Sequence, residues 1–205
     1  SDWMDNSKLN ELLLTVQKPG RYVGGEWNAV RKEWTATRTK VLLAFPEAYE
    51  VGMSYLGTKI LYGILNGRDD CLAERVFAPW VDFESVLRNN RISLFSLESR
   101  RPIKEFDIIG FSLAYELTYT NVLNILDLGG IPLRSAERTE SDPLIIAGGP
   151  SVYNPEPMAE FIDAWNERDL ARMRATLAND LVVEDHRRAG MGRIDGADAY
   201  VDSVV

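Results

Sequence analysis

Three polar stretches, each standing directly after an apolar run, hold the residues with the clearest chemical potential. After Ile108-Ile109-Gly110-Phe111 come Ser112, Tyr115, Glu116, Thr118 and Tyr119, a set of hydroxyls, phenols and a carboxylate crowded where a strand should end. After Leu144-Ile145-Ile146-Ala147 come Gly148, Gly149 and Pro150. After 40–45, Lys-Val-Leu-Leu-Ala-Phe, the chain turns at Pro46 and continues into Glu50-Val51-Gly52-Met53-Ser54-Tyr55-Leu56-Gly57. In an open parallel sheet, ligands bind at the loops leaving the carboxyl ends of the strands, and the turn after Phe111 is the first place to look. Ser112 either bonds a ligand or caps the next turn. Gly148 and Gly149 either let a large ligand approach the backbone or form an ordinary tight turn. Tyr115 and Glu116 either line a pocket or serve helix entry, where a carboxylate gains roughly 0.3–1 kcal/mol from the dipole without any ligand. Glu98 and Arg100 follow a further apolar run and either reach the same edge or pair at the surface.

Other chemistries are bounded by counts. Cys71 is the one cysteine among 205 residues, so the chain's own thiols build no disulfide framework, cysteine zinc site or iron–sulfur centre. His186 is the one histidine. A formal charge of -8, with 23 basic residues that form no block, argues against a nucleic-acid partner. No apolar run approaches the roughly 20 residues that span a bilayer, and no signal pattern opens the sequence, so a cytoplasmic protein without a membrane partner is expected.

The elements that must position these residues alternate along the chain. Residues 1–39 read as a polar arm with one helix near Leu9 to Leu14 and a Gly- and Pro-rich stretch, 17–28, whose Trp27, with Trp34, should dock on the main domain or a partner. Residues 40–163 give strands at 40–45, 75–78, 108–111 and 144–147, with further candidates at 92–97 and 131–134. Between them, a helix should bury Leu56, Ile60, Leu61, Ile64 and Leu65. A second carries Phe83, Val86 and Leu87, and a third, capped by Thr118 or Thr120, carries Val122, Ile125, Leu126 and Leu128 before Gly129-Gly130. This alternation predicts an α/β fold: an open, mostly parallel, Rossmann-like sheet with helices on both faces and a C-terminal helical tail. In 164–205 an amphipathic helix at 164–180 is followed by a strand at 181–188 and a helix at 196–204.

Residues 16–163 resemble the N-terminal region of cobalamin-binding-domain radical SAM proteins. The resemblance is carried by the 17–28 arm, Tyr49-Glu50-Val51-Gly52-Met53-Ser54-Tyr55-Leu56-Gly57, Arg75-Val76-Phe77-Ala78-Pro79-Trp80, Phe95-Ser96-Leu97-Glu98-Ser99, segment 106–130, and Ile146-Ala147-Gly148-Gly149-Pro150 with Asn154-Pro155-Glu156-Pro157. It implies a corrin ring on the carboxyl edge of the sheet, its nucleotide tail in a slot beside the strands. The implied cofactor-binding residues are Ser54, Gly57, Ser112, Tyr115, Glu116, Gly148, Gly149 and Pro150. In the family's Asp-x-His-x-x-Gly loop, Gly52 stands in the aspartate position and Ser54 in that of the cobalt-ligating histidine, so only Gly57 matches and no protein histidine reaches cobalt from there. Ser112 takes the place of a serine that bonds the tail, and Gly148 and Gly149 that of the glycines beside it. The parent family also uses a Cys-x-x-x-Cys-x-x-Cys loop for an iron–sulfur cluster that binds S-adenosylmethionine, and this chain lacks the loop. Residues 164–205 resemble the opening of a SnoaL-like (polyketide-cyclase-like) cone, of which they supply only a part.

Three functions follow as expectations: a cobalamin-binding module that serves a catalytic radical SAM domain, a non-binding α/β docking domain, or a SnoaL-like binder or enzyme of small molecules.

Overall fold

The computed structural model describes residues 6–153, 155–163, 182–185 and 192–195. Four parallel strands, β1 (Thr39–Phe45), β2 (Cys71–Phe77), β3 (Ile108–Ser112) and β4 (Leu144–Gly148), stand in the order β2-β1-β3-β4. Register runs from Thr39↔Cys71 to Phe45↔Phe77, from Val41↔Ile108 to Ala44↔Phe111, and from Ile108↔Leu144 to Ser112↔Gly148. The helices are α1 (Asn6–Leu13), α2 (Tyr49–Ser54), α3 (Leu56–Asn66), α4 (Val81–Asn90) and α5 (Tyr119–Leu128).

Side chains alternate across the sheet, as strand geometry requires. Leu42, Ala44, Val76, Ile109, Phe111 and Ile145 pack on one face against α1, α4 and α5. Val41, Leu43, Cys71, Ala73, Ile108 and Leu144 face the other way, toward Tyr62 and Leu65 of α3. Burial on both faces explains why the strands read as near-continuous apolar runs.

The outer side of β2 is closed by side chains and a loop. Lys32 Nζ donates to Cys71 O at 2.7 Å, the Asn66 amide both donates to and accepts from Ala73 at 3.0 Å, and Arg75 N donates to Glu98 Oε2 at 2.8 Å. Leu97 N completes the seal on Arg75 O at 2.8 Å. Glu98 also accepts from Arg75 Nε at 2.6 Å, with the carboxylate wholly buried. Desolvation pushes the Glu98 carboxyl up against the opposing pull of Arg75. At the other edge Ile145 N donates to Asp163 Oδ2 at 2.7 Å, and Asp163 pairs with Arg138 at 2.8 Å, both side chains at most 1% exposed.

Several sequence expectations are corrected. Residues 92–97 form no strand. Their backbone bonds go to Leu128, Arg101 and Arg75 in turn, with a single bridge between Phe95 and Pro102. Residues 131–134 are likewise not a strand, because Arg138 takes the carbonyls of Pro132 and Leu133. Strand β2 begins four residues before the expected Arg75, at Cys71, and residues 49–54 form α2 rather than a loop. Helix α3 is turned away from expectation. It buries Thr58 and Tyr62, while Leu56, Ile60, Leu61 and Ile64 are exposed, because the Tyr62 ring fills the space against the sheet, with Arg75 over it at 4.6 Å and its hydroxyl accepting from Val30 N at 2.7 Å. Thr118 stands at the cap of α5, but its hydroxyl donates back to Tyr115 O. Residues 182–185 and 192–195 pair as an antiparallel hairpin, β5 (Val182–Asp185) and β6 (Gly192–Asp195), whose second strand the sequence reading did not anticipate. The helices expected at 164–180 and 196–204, and His186, lie outside the described residues.

The arm docks as expected through Trp34, edge-on to Phe106 at 5.1 Å, whereas Trp27 is 99% exposed. Tyr22 stacks on Phe83 at 3.9 Å, and Glu26 accepts from Tyr49 and Arg75. Arg21 and Lys18 hold Glu50, whose carboxyl the Arg21 hydrogen bond lowers to about 2.

Two outcomes follow. Arg138→Met takes the arginine from the buried Asp163 carboxylate and should cost about 3–5 kcal/mol in urea unfolding. The Glu50 contact, depressed in the folded state, is complete above its ordinary value of 4.5 and lost as pH falls toward about 2. An NMR titration should therefore move the Trp80 indole, over which Arg21 lies at 5.1 Å, within that window, and the movement should vanish in Glu50→Gln.

Candidate functional site

Chain order places the first connection on one side of β1 and the later ones on the other, so the switch point lies at the carboxyl ends of β1 and β3. Three loops converge there: residues 46–48 after β1, 113–118 after β3 and 149–151 after β4. Hydrogen bonds knit them together. The Tyr115 hydroxyl donates to the Glu47 carboxylate across the switch point, and Asn121 Nδ2 donates to Pro46 O at 2.9 Å. Leu113 N donates to Gly148 O at 2.7 Å, Ser151 N to Leu113 O at 3.2 Å, and the Tyr119 hydroxyl to Ser151 O at 3.1 Å. The bond to Glu47 raises the Tyr115 phenol above its ordinary value.

Ser112 and Gly148 lie side by side, in register at the ends of β3 and β4. Ser112 is half-buried, and its hydroxyl has no hydrogen-bond partner among the described residues. Gly148 is exposed, has no left-handed backbone, and a Cβ there would meet nothing within 4 Å. Neither its conformation nor its neighbours call for glycine. Gly149 is the opposite case: φ is +110°, and a Cβ would stand 2.5 Å from Leu113 O, so its glycine serves the packing of two loops. Pro150 is exposed at the start of the 3-10 turn Pro150–Tyr153.

The other expected residues are more dispersed. Glu116 is exposed in the 3-10 turn Glu116–Thr118. Ser54 ends α2, exposed, with Oγ donating to Glu50 O at 2.7 Å, and Gly57 sits in the first turn of α3, where a Cβ would press on the Tyr55 ring at 2.9 Å. Among the described residues no hydrogen bond joins these two to the loops after β3 and β4. Glu98 is neither at this edge nor in a surface pair, being buried against β2. Arg100 donates to Asn10 and to Val23 O.

Glu47, Asn121 and Ser151 belong to the site and were not anticipated. Their partners are 68, 75 and 32 residues away, a separation at which no local spacing signals contact. The Ser151 hydroxyl is buried without a hydrogen-bond partner among the described residues. A separate polar cavity of about 570 Å³, lined by Trp34, Arg38, Lys104, Asp107, Glu140 and Asp142, opens at the opposite, amino-terminal ends of the strands.

The family model described as "Radical SAM proteins, N-terminal" matches residues 57–189. The match begins later than the resemblance at 16–163 and runs on through much of 164–205. An uncharacterized protein of Methanocaldococcus jannaschii is 28% identical over 126 residues, which are 61% of this chain and 22% of that relative. The chain thus spans about a fifth of the curated relative's length. No solved structure matches.

The two adjacent glycines should separate cleanly on substitution. Gly149→Ala meets both strain and the Leu113 backbone and should cost on the order of 1–3 kcal/mol in thermal unfolding. Gly148→Ala meets neither and should stay within about 0.5 kcal/mol of wild type.

Proposed function

Because the chain belongs to the family of radical SAM proteins, N-terminal, we propose that it is the cofactor-holding N-terminal module of such a protein and binds a corrinoid at the carboxyl ends of β3 and β4. One observation carries this reading. Gly148 is a glycine that its described surroundings do not explain, and it stands at an exposed sheet edge in register with Ser112, whose hydroxyl has no hydrogen-bond partner among the described residues. Side-chain absence beside a free donor suits a large flat ligand with a polar tail.

The residues present fit a corrinoid held by shape and hydrogen bonds, without a protein imidazole on cobalt. Ser54 stands where the family's histidine would, and its hydroxyl is engaged within α2. Ser112 would bond the tail, Gly148 would admit it to the backbone, and the Tyr115–Glu47 bridge would close the crevice beside it. A bound corrinoid would supply a cobalt centre able to make and break a bond to carbon. Cleavage of S-adenosylmethionine would fall to a separate catalytic radical SAM domain, since a cluster held by three thiolates cannot be built from Cys71, whose thiol is buried and raised by burial. The likeness of 164–205 to a SnoaL-like opening rests on sequence pattern, and we assign that stretch no separate activity.

The test is to mix the chain with hydroxocobalamin, remove free ligand by gel filtration and record the visible spectrum of the protein peak. About one corrinoid should be retained per chain, and Gly148→Leu should lose it with an unchanged melting temperature. A colourless wild-type peak would sink the reading and leave the docking role.

A further inference from the structure

Helix α3 carries more apolar surface than its own sheet uses. Thr58 and Tyr62 point inward, while on the outward side Leu56, Ile60 and Ile64, spaced i, i+4 and i+8, are 67%, 52% and 61% exposed. Gly63 lies on that same side, as does Gly67, the residue that ends the helix. Gly63 is exposed, its backbone is right-handed, and a Cβ there would meet nothing within 4 Å. Glycine in a helix interior is less stable than alanine, and nothing among the described residues asks for it. A missing side chain amid an exposed ridge of leucine and isoleucine is what the close approach of another helix requires, since the distance between packed helices is set by the side chains at the contact.

We propose that this face pairs with the same face of a second copy of the chain, α3 against α3, antiparallel about a twofold axis. The helix is its own complement. An axis passing between Leu61 and Tyr62 sets Leu56 of one protomer against the partner's Gly67 and Ile60 against the partner's Gly63, a large side chain on a small one at both places and reciprocally. Charge permits the approach: the chain carries -8, yet α3 contains no carboxylate and only Lys59. A helix of 11 residues, about 16 Å long, covers less than the roughly 800 Å² per partner of a standard interface, so the dimer is weak and depends on concentration.

Sedimentation velocity of the full chain from micromolar to millimolar concentration tests this. The mass should rise toward twice that of the chain, and the double variant Ile60→Asp/Ile64→Asp should remain monomeric throughout. Gly63→Ala distinguishes a notch from a mere sticky patch. Its monomer should melt at a higher temperature than wild type, because alanine favours the helix and meets no neighbour, yet it should dimerise at least about tenfold more weakly. A monomeric mass at every concentration overturns the proposal and gives the face to a different partner. Association that survives either variant overturns it as well.

Discussion

Each edge strand of the sheet has outward N–H groups that no neighbouring strand can take, and on each side a buried carboxylate takes one of them. Glu98 accepts from Arg75 N on β2, and Asp163 accepts from Ile145 N on β4. Neither carboxylate could be buried alone, since desolvating an unpaired charge costs several kcal/mol. Arg75 and Arg138 supply the compensating charge. The arginines are then tied in turn: Arg75 to Glu26 of the arm, Arg138 to the carbonyls of Pro132, Leu133 and Phe161. The segments flanking the sheet are thus fixed by the need to neutralise two edge carboxylates.

That arrangement also sets what is left for function. With the amino-terminal arm drawn over α2 and β2 by Glu26, Arg21 and Tyr22, the half of the carboxyl edge belonging to β2 is covered. The half belonging to β3 and β4 is held open as a shelf, its three loops braced against each other by Tyr115, Asn121 and Tyr119. Rigidity here comes from bonds between loops, and the exposed Gly148 sits on the braced shelf rather than on a mobile tip. Pre-organisation of this kind limits the entropy that any ligand bound there would lose.

Much of this was legible in the sequence, for definable reasons. Strands β1, β3 and β4 are apolar runs ended by Pro46, Ser112 and Gly148, and α5 repeats at helical spacing. Periodicity found α3 as well but chose the wrong face, because it counts apolar residues and cannot know that the ring of Tyr62 reaches the sheet better than Ile60 or Ile64. The start of β2 was hidden by Glu74, a charged residue buried with its partner Ser99, 25 residues away. At the site, Ser112 and Gly148 were visible as punctuation after strands. The distinction between Gly148 and Gly149 was not, since it depends on φ and on the distance to Leu113.

The two edges are not closed equally. On β2, Lys32, Asn66, Leu97 and Glu98 occupy the outward groups of Cys71, Ala73 and Arg75. On β4, among the described residues, only Ile145 N is taken. Fibre growth by strand addition needs two available edges, so that each molecule added presents a new one. The occupied outward groups of β2 remove one of the two, which makes the sealing of that strand a terminator of polymerisation as well as a source of stability.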